Sequence, residues 1–306
     1  MKTVNWDNHR ISKLCLGTVQ FGLDYGIANK SGEVSQKDVN DILDYVVSKG
    51  INCFDTGSMY GNSEEKIGKY LKESNIDVKV ISKIKSDFFE IGEKNAINNI
   101  NKSLDYLSVT TLFALLLHNI DAIKNWDEKS TKLITRLKKE NKINFFGVSI
   151  YTDEEFMLAL ENDNVDVIQI PFNLLDQRAI KNNWLQKAKE KNKLIFIRSV
   201  YLQGLLLMDI ENIPIHLNDA KQYLQNIEEI AAKLNITKNE LALSFVDQMA
   251  DSGILLFGCD NLNQAKQNID NYNNLPLLDN DTIKLLDDNV INIDEYIYNP
   301  SKWNNK

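Results

Sequence analysis

SQKDVNDILDYVVSKGINCFD, Ser35–Asp55, packs a complete helix-to-strand step into one short run. Val39, Ile42, Leu43, Val46 and Val47 recur at the three- and four-residue spacing of an amphipathic helix, and Ser35 stands where an N-cap belongs. The run then changes character: INCFD is apolar and β-prone, and it closes on a carboxylate. The same alternation extends in both directions. β-rich runs occupy Lys13 to Val19, Ile51 to Asp55, Val78 to Ile84, Thr111 to His118, Asn144 to Ile150, Val167 to Phe172, Leu194 to Val200 and Gly253 to Gly258. Between them lie Lys- and Glu-rich segments of helical periodicity. Runs such as LFALLL and VIQIPF are apolar at nearly every position, as strands are when helices bury both faces of a parallel sheet.

Eight β-then-α steps in 306 residues, with four prolines and no Pro/Gly/Ser-rich linker, predict a (β/α)₈ TIM barrel of α/β class as a single domain over residues 1–306. Two doubly wound domains would need a composition break that is absent. Met1 to Ser12 is expected to cap the barrel bottom, and residues from about 276 to 306 to form a carboxy-terminal helix and tail. The aromatic end of that tail, EYIYNPSKW, is expected either to pack on the barrel or to meet a partner. Tyr201 to His216, between the seventh strand and its helix, reads as an active-site loop.

Composition narrows the function. Thirty-five basic against forty-three acidic residues give a net charge of -8, and four of the basic residues are Arg, which disfavours phosphate-backbone binding to nucleic acid. Apolar runs such as Leu112 to Leu117 fall far short of the roughly 18 to 20 residues of a membrane span. The amino terminus has no secretion signature, so the expected location is the cytoplasm. Cys15, Cys53 and Cys259 are isolated and odd in number, and suit small core residues better than a disulfide framework or zinc site. His9, His118 and His216 lie far apart in sequence, which disfavours a His-rich metal centre.

In a barrel of this kind chemistry gathers at the carboxyl ends of the strands. Asp55 ends INCFD, Lys83 lies near the end of VISKI, His118 ends LFALLLH, and Tyr60 follows Asp55 in GSMYG. Singly each has an ordinary explanation: a loop cap, a snorkelling lysine, a satisfied core histidine. Together, on successive strand exits, a carboxylate, ammonium, phenol and imidazole would be costly to bury unless paired and used. The patterns of the common competitors, G-x-G-x-x-G after a strand, the Walker A lysine, H-E-x-x-H and G-x-S-x-G, do not occur.

FDTGSMYGNSEEKIGKYL, Phe54–Leu71, resembles the signature of the aldo-keto reductases. ISKI around Lys83, LLLHNID around His118, GVSIYTDEE from Gly147, VIQIPFNLLDQR, RSVYLQGLL and FGCDNLNQAKQN follow in the same order. The resemblance implies a barrel oxidoreductase that reduces an aldehyde or ketone, or oxidises the alcohol, with NAD(P)H bound in extended form. It implies Asp55, Tyr60, Lys83 and His118 as the catalytic set, with Tyr60 as proton donor, Lys83 lowering the phenol pKa, Asp55 holding Lys83, and His118 orienting the substrate oxygen.

The same resemblance assigns Ser149 and Gln169 to the nicotinamide carboxamide, and Ser199 with the backbone from Tyr201 to Gly204 to the pyrophosphate. Gly258, Asp260, Gln264 and Asn268 fall on the phosphate and adenine side, and Gly17, Thr18 and Asp55 on the cofactor-facing strand ends. Arg198 stands where many relatives place a ring against the nicotinamide, and is expected to stack, to clamp an anion of an acidic or phosphorylated substrate, or to pair with a neighbouring helix. Asp260 occupies the region where NADPH users commonly carry Lys or Arg, so NADH is expected to serve at least as well as NADPH. The loops Tyr25 to Gly32 and Tyr201 to His216 would suit a sugar or a sugar derivative among other small carbonyls. A catalytically silent dinucleotide sensor is the alternative, and a Schiff-base aldolase on Lys83 a weaker third reading.

Overall fold

A computed structural model describes residues 1–29 and 32–303. Among the described residues ten strands run in chain order: β1 Thr3–Trp6, β2 His9–Ser12, β3 Leu14–Gly17, β4 Cys53–Gly57, β5 Lys79–Ile84, β6 Leu112–Leu117, β7 Ile143–Ser149, β8 Val167–Pro171, β9 Leu194–Arg198 and β10 Ile254–Phe257. β3 to β10 close into a barrel in sequence order, β10 pairing back to β3, and every ladder is parallel. The eight continuous apolar runs are thus the eight barrel strands, wrapped by helices as their two-sided burial requires.

The opening stretch of the sequence shows why each step forms. Helix Gln36–Ser48 starts at Ser35, whose side chain accepts from the Asp38 N–H, a cap worth about 1 kcal/mol. Val39, Ile42, Leu43 and Val46 are fully buried against the barrel, each contributing roughly 1.5–3 kcal/mol by leaving water. Lys49 ends the helix, and Gly50, at φ +82°, turns the chain into β4.

Inside the barrel Cys15, Cys53, Ile81, Ala114, Leu116, Phe196 and Ile254 fill the axis. The expected bottom cap is an antiparallel hairpin of β1 and β2. It seats Trp6 4.6 Å from Phe145 and His9 5.2 Å from Phe113, ring centroid to ring centroid. The bottom is plugged by these aromatic rings, and a cavity lies at the opposite end. His9 is accounted for by this packing, His216 is exposed, and the three cysteines are buried thiols.

The chain beyond β10 forms helices Leu262–Asn273 and Asn280–Asn289, then short turns Glu295–Tyr298 and Pro300–Lys302. The aromatic tail packs on the barrel: Ile297 and Trp303 are buried, and Trp303 Nε1 donates to the Tyr296 carbonyl at 2.7 Å. The last three residues of the predicted tail lie outside the described residues. No helix among the described residues is long and apolar enough to cross a membrane.

Candidate active site

All the strand-end and cofactor candidates named from the sequence line one cavity of about 580 Å³ at the open end of the barrel. Register explains how distant residues meet there. Gly57 on β4 pairs with Lys83 on β5, bringing Lys83 beside Asp55 on the interior face, and Ser149 on β7 pairs with Gln169 on β8. Asp55 and Lys83 are almost completely buried and form a short ion pair through Oδ2. The other carboxylate oxygen, Oδ1, accepts from Gln169 Nε2 at 3.0 Å. Both oxygens are therefore satisfied, which is what makes a carboxylate tolerable at that depth.

Lys83 Nζ lies 5.2 Å from the Tyr60 ring centroid. Burial alone would drive the Lys83 ammonium toward neutrality, but Asp55 and Tyr60 outweigh it and hold the pKa above its ordinary value. The phenol departs from expectation. Burial raises the Tyr60 pKa by more than Lys83 lowers it, with Asp55 adding to the rise, so the net direction is upward. Lys83 does pull in the expected sense, yet sequence shows a neighbouring charge and conceals how deeply a hydroxyl is covered. The His118 ring stands edge-on to Tyr60, centroids 6.1 Å apart, and burial followed by Lys83 lowers its pKa, leaving a neutral imidazole near pH 7.

The loop carrying Tyr60 is fixed by backbone contact. A Cβ on Gly22 would sit 1.8 Å from the Tyr60 carbonyl oxygen, and one on Gly61, at φ +55°, would sit 2.1 Å from the Gly22 carbonyl oxygen. Ser63 Oγ adds bonds to the Thr18 carbonyl at 2.9 Å and to Thr56 Oγ1 at 3.0 Å. Thr18 is itself tied to the Asp55 carbonyl through its N–H and its hydroxyl, both at 3.0 Å. Gly22→Ala is expected to lower turnover roughly 10- to 100-fold, because a displacement of about 1 Å at a reacting group costs up to about 10². Steady-state kinetics alongside circular dichroism checks this, and unchanged kcat in a folded variant would contradict it.

Several candidates already have partners. Arg198 lies over the Tyr151 ring, Cζ 4.0 Å from its centroid. It donates to Ser149 Oγ at 3.1 Å, to Ser199 Oγ at 3.3 Å and to the Ile150 carbonyl at 2.9 Å. The alternative of an ion pair with a neighbouring helix is not what forms. The Tyr201 hydroxyl lies 2.8 Å from Asn268 Oδ1 and 3.1 Å from Asn239 Oδ1, and Asn239 Nδ2 donates to Asn268 Oδ1 at 3.2 Å. Gln264 folds back on Asp260, accepting from its N–H at 2.8 Å and donating to its carboxylate at 3.2 Å. Burial, and then the charge of Asp24, raise the Asp260 pKa against the pull of Gln264.

Sequence reasoning did not single out Gln20, Tyr151, Asn239, Pro300 or Ser301, all of which line the cavity. Asn239 lies just inside a helix capped by Thr237, and Pro300 and Ser301 arrive from the tail, so no local pattern marks them. Gln20 had a usable signal, since it falls inside GTVQFG directly after β3. The two predicted loops meet over the cavity, where a Cβ on Gly204 would approach the Ala28 Cβ to 2.5 Å. Residues 30 and 31 of the first loop lie outside the described residues. Among the described residues no group of three or more His, Cys, Asp or Glu could hold a metal ion.

The profile of the aldo/keto reductase family matches residues 13–290. The chain belongs to the aldo-keto reductase family. It is thereby an oxidoreductase of the NAD(P)-dependent kind. It is 24% identical over 276 residues to an uncharacterized oxidoreductase of Bacillus subtilis, covering 83% of this chain and 89% of the relative. It is 22% identical over 288 residues to the D-arabinose 1-dehydrogenase of Saccharomyces cerevisiae, covering 87% and 84%. Among solved structures it is similar to an aldo-keto reductase from Bacillus halodurans in its holo form, with TM-score 0.77, 19% identity and 97% and 99% coverage. An aldo-keto reductase from Klebsiella pneumoniae, solved in complex with NADP and acetate, aligns with TM-score 0.71, 19% identity and 94% coverage of each chain. At these identities the structural likeness speaks for the fold alone.

Proposed function

We propose that this aldo-keto reductase interconverts a small carbonyl compound and its alcohol, with Tyr60 moving the proton. The observation that carries this reading is the convergence of Tyr60, Lys83, Asp55 and His118 on one cavity, with Lys83 paired to Asp55 and 5.2 Å from the centroid of the Tyr60 ring. Bound nicotinamide dinucleotide supplies or accepts the hydride. The residues around it fit such a ligand. Among the described residues Gln20 Oε1 is a buried acceptor without a protein partner in the cavity wall, and Gly17 leaves the floor beside Asp55 bare of side chain. Leu202, Gln203 and Gly204 follow one another in left-handed conformation, as does Ser199, a strain that folds keep mainly where a ligand is clamped.

Reduction leaves negative charge on the carbonyl oxygen, and Tyr60 delivers the proton that discharges it. Neutral His118 donates a hydrogen bond to the same oxygen and orients it. Lys83 lowers the cost of the phenolate left behind, and Asp55 with Gln169 keeps Lys83 charged and in place. In oxidation Tyr60 takes the proton back. Because the net shift of Tyr60 is upward, its proton is retained through neutral pH. The reductive rate is therefore expected to stay level and to fall only toward or above about pH 10, while alcohol oxidation rises over that range. A reductive rate already falling between about pH 6 and 8 would count against Tyr60 as the donor.

For the cofactor we propose that NADH serves at least as well as NADPH. Asp260 lines the cavity at the start of the helix Leu262–Asn273, and no Lys or Arg pairs with it among the described residues. A carboxylate there repels a 2′-phosphate and suits ribose hydroxyls. Asp260→Ser is expected to tighten NADPH relative to NADH on the order of tenfold, about 1.4 kcal/mol. Fluorescence titration with both dinucleotides tests this, and wild-type preference for NADPH would contradict it. A sugar or sugar derivative is the proposed substrate class, supported by the mixed aromatic and polar wall of Tyr25, Asn29, Tyr151 and Ser301. Assay over a panel of aldoses and simple aldehydes tests it, with preference for the unsubstituted aldehydes as the contrary result.

A further inference from the structure

The charges at the catalytic end of the cavity do not balance. Asp55 contributes one negative charge, and it is engaged by Lys83 and Gln169. Lys83 and Arg198 contribute two positive charges. Arg198 has only neutral partners: two hydroxyls, one carbonyl and the face of Tyr151. Among the described residues no carboxylate lies within ion-pair distance of it. His118 adds no charge, since burial and Lys83 keep its imidazole neutral. The excess charge reaches the reacting groups, because Arg198 acts on Tyr60 and on His118 along with Lys83 and Asp55.

We infer that this unpaired Arg198 makes the site discriminate between the two redox states of the nicotinamide, binding the neutral reduced ring more tightly than the cationic oxidised ring. The inference rests on the reading above, in which the ring lies against Tyr60. Loss of hydride places a full positive charge on the ring. At the catalytic end, which already carries one cation without a counter-charge, that charge is opposed at short range and with little screening. The reduced form meets no such opposition. By linkage, the bound couple is biased toward hydride residing on the nicotinamide, although the equilibrium in free solution is untouched. Arg198 thereby tunes cofactor state without having to move a proton. The hydroxyls of Ser149 and Ser199 and the Tyr151 ring hold the guanidinium in place while supplying no counter-charge.

The test is a titration of wild type, Arg198→Met and Arg198→Lys with NAD⁺, NADH, NADP⁺ and NADPH, followed by intrinsic fluorescence, with circular dichroism as the check on folding. Wild type is expected to bind each reduced form at least about tenfold more tightly than its oxidised partner. Arg198→Lys keeps the charge and most of that ratio. Arg198→Met keeps length, loses the charge, and lowers the ratio roughly tenfold. Equal affinities of wild type for the two redox forms would overturn the inference whatever the variants do. An Arg198→Met change that weakens oxidised and reduced forms alike would also overturn it, pointing to general anchoring. Failure of wild type to bind any of the four dinucleotides would instead sink the proposed function on which the inference rests.

Discussion

Tyr60→Phe is expected to lower kcat for carbonyl reduction by about 10²–10⁴ while leaving dinucleotide affinity within roughly threefold of wild type. The substitution removes one oxygen and keeps the ring, so the edge-on contact with His118, 6.1 Å between centroids, and the cation–ring approach of Lys83, at 5.2 Å, both have their partners. The proton source is what disappears. A loss confined to kcat and kcat/KM is the signature of an interaction made in the transition state. Stopped-flow measurement of dinucleotide fluorescence on mixing with aldehyde separates the two quantities. Turnover within threefold of wild type would remove Tyr60 from the mechanism, and loss of dinucleotide binding would make its role one of binding.

Lys83→Met carries the other large effect, and on two quantities at once. Asp55 would keep its bond from Gln169 at 3.0 Å but lose its ammonium partner while remaining about 97% buried, its exposure being 3%. Breaking a buried pair from one side typically costs about 3–5 kcal/mol. Thermal or denaturant unfolding is expected to report a loss of that order. Activity is expected to fall by at least about 10² because the phenolate then loses the nearest charge that stabilises it. The double variant Lys83→Met with Asp55→Asn separates the two effects: removing the stranded charge should recover much of the stability and none of the turnover. Recovery of both, or of neither, would contradict the division of labour between Asp55 and Lys83.

The sequence made the barrel legible because both faces of its strands are buried. LFALLL and VIQIPF cannot belong to a half-exposed sheet, and each is followed by helical periodicity. The polar residues closing these runs, Asp55, Lys83 and His118, stand out against so apolar a background. Partnerships across the barrel were not legible, because they depend on register and side-chain reach. That Gln169 donates to Asp55, and that Arg198 donates to Ser149 and lies on Tyr151, follows from how β7, β8 and β9 align. The upward shift of Tyr60 was hidden for a related reason: desolvation is a property of everything packed around a group. Pro300 and Ser301 reach the cavity from the far end of the chain, in a tail anchored by the buried Trp303 and Ile297.

The most direct measurement is a crystal structure grown with the dinucleotide and a non-reactive carbonyl analogue. The proposed chemistry predicts the nicotinamide among Ser149, Gln169 and Arg198, and the analogue's oxygen within hydrogen-bond reach of both Tyr60 Oη and His118, about 2.6–3.2 Å. A dinucleotide whose ring lies away from Tyr60, or a carbonyl oxygen held by other residues, would contradict it.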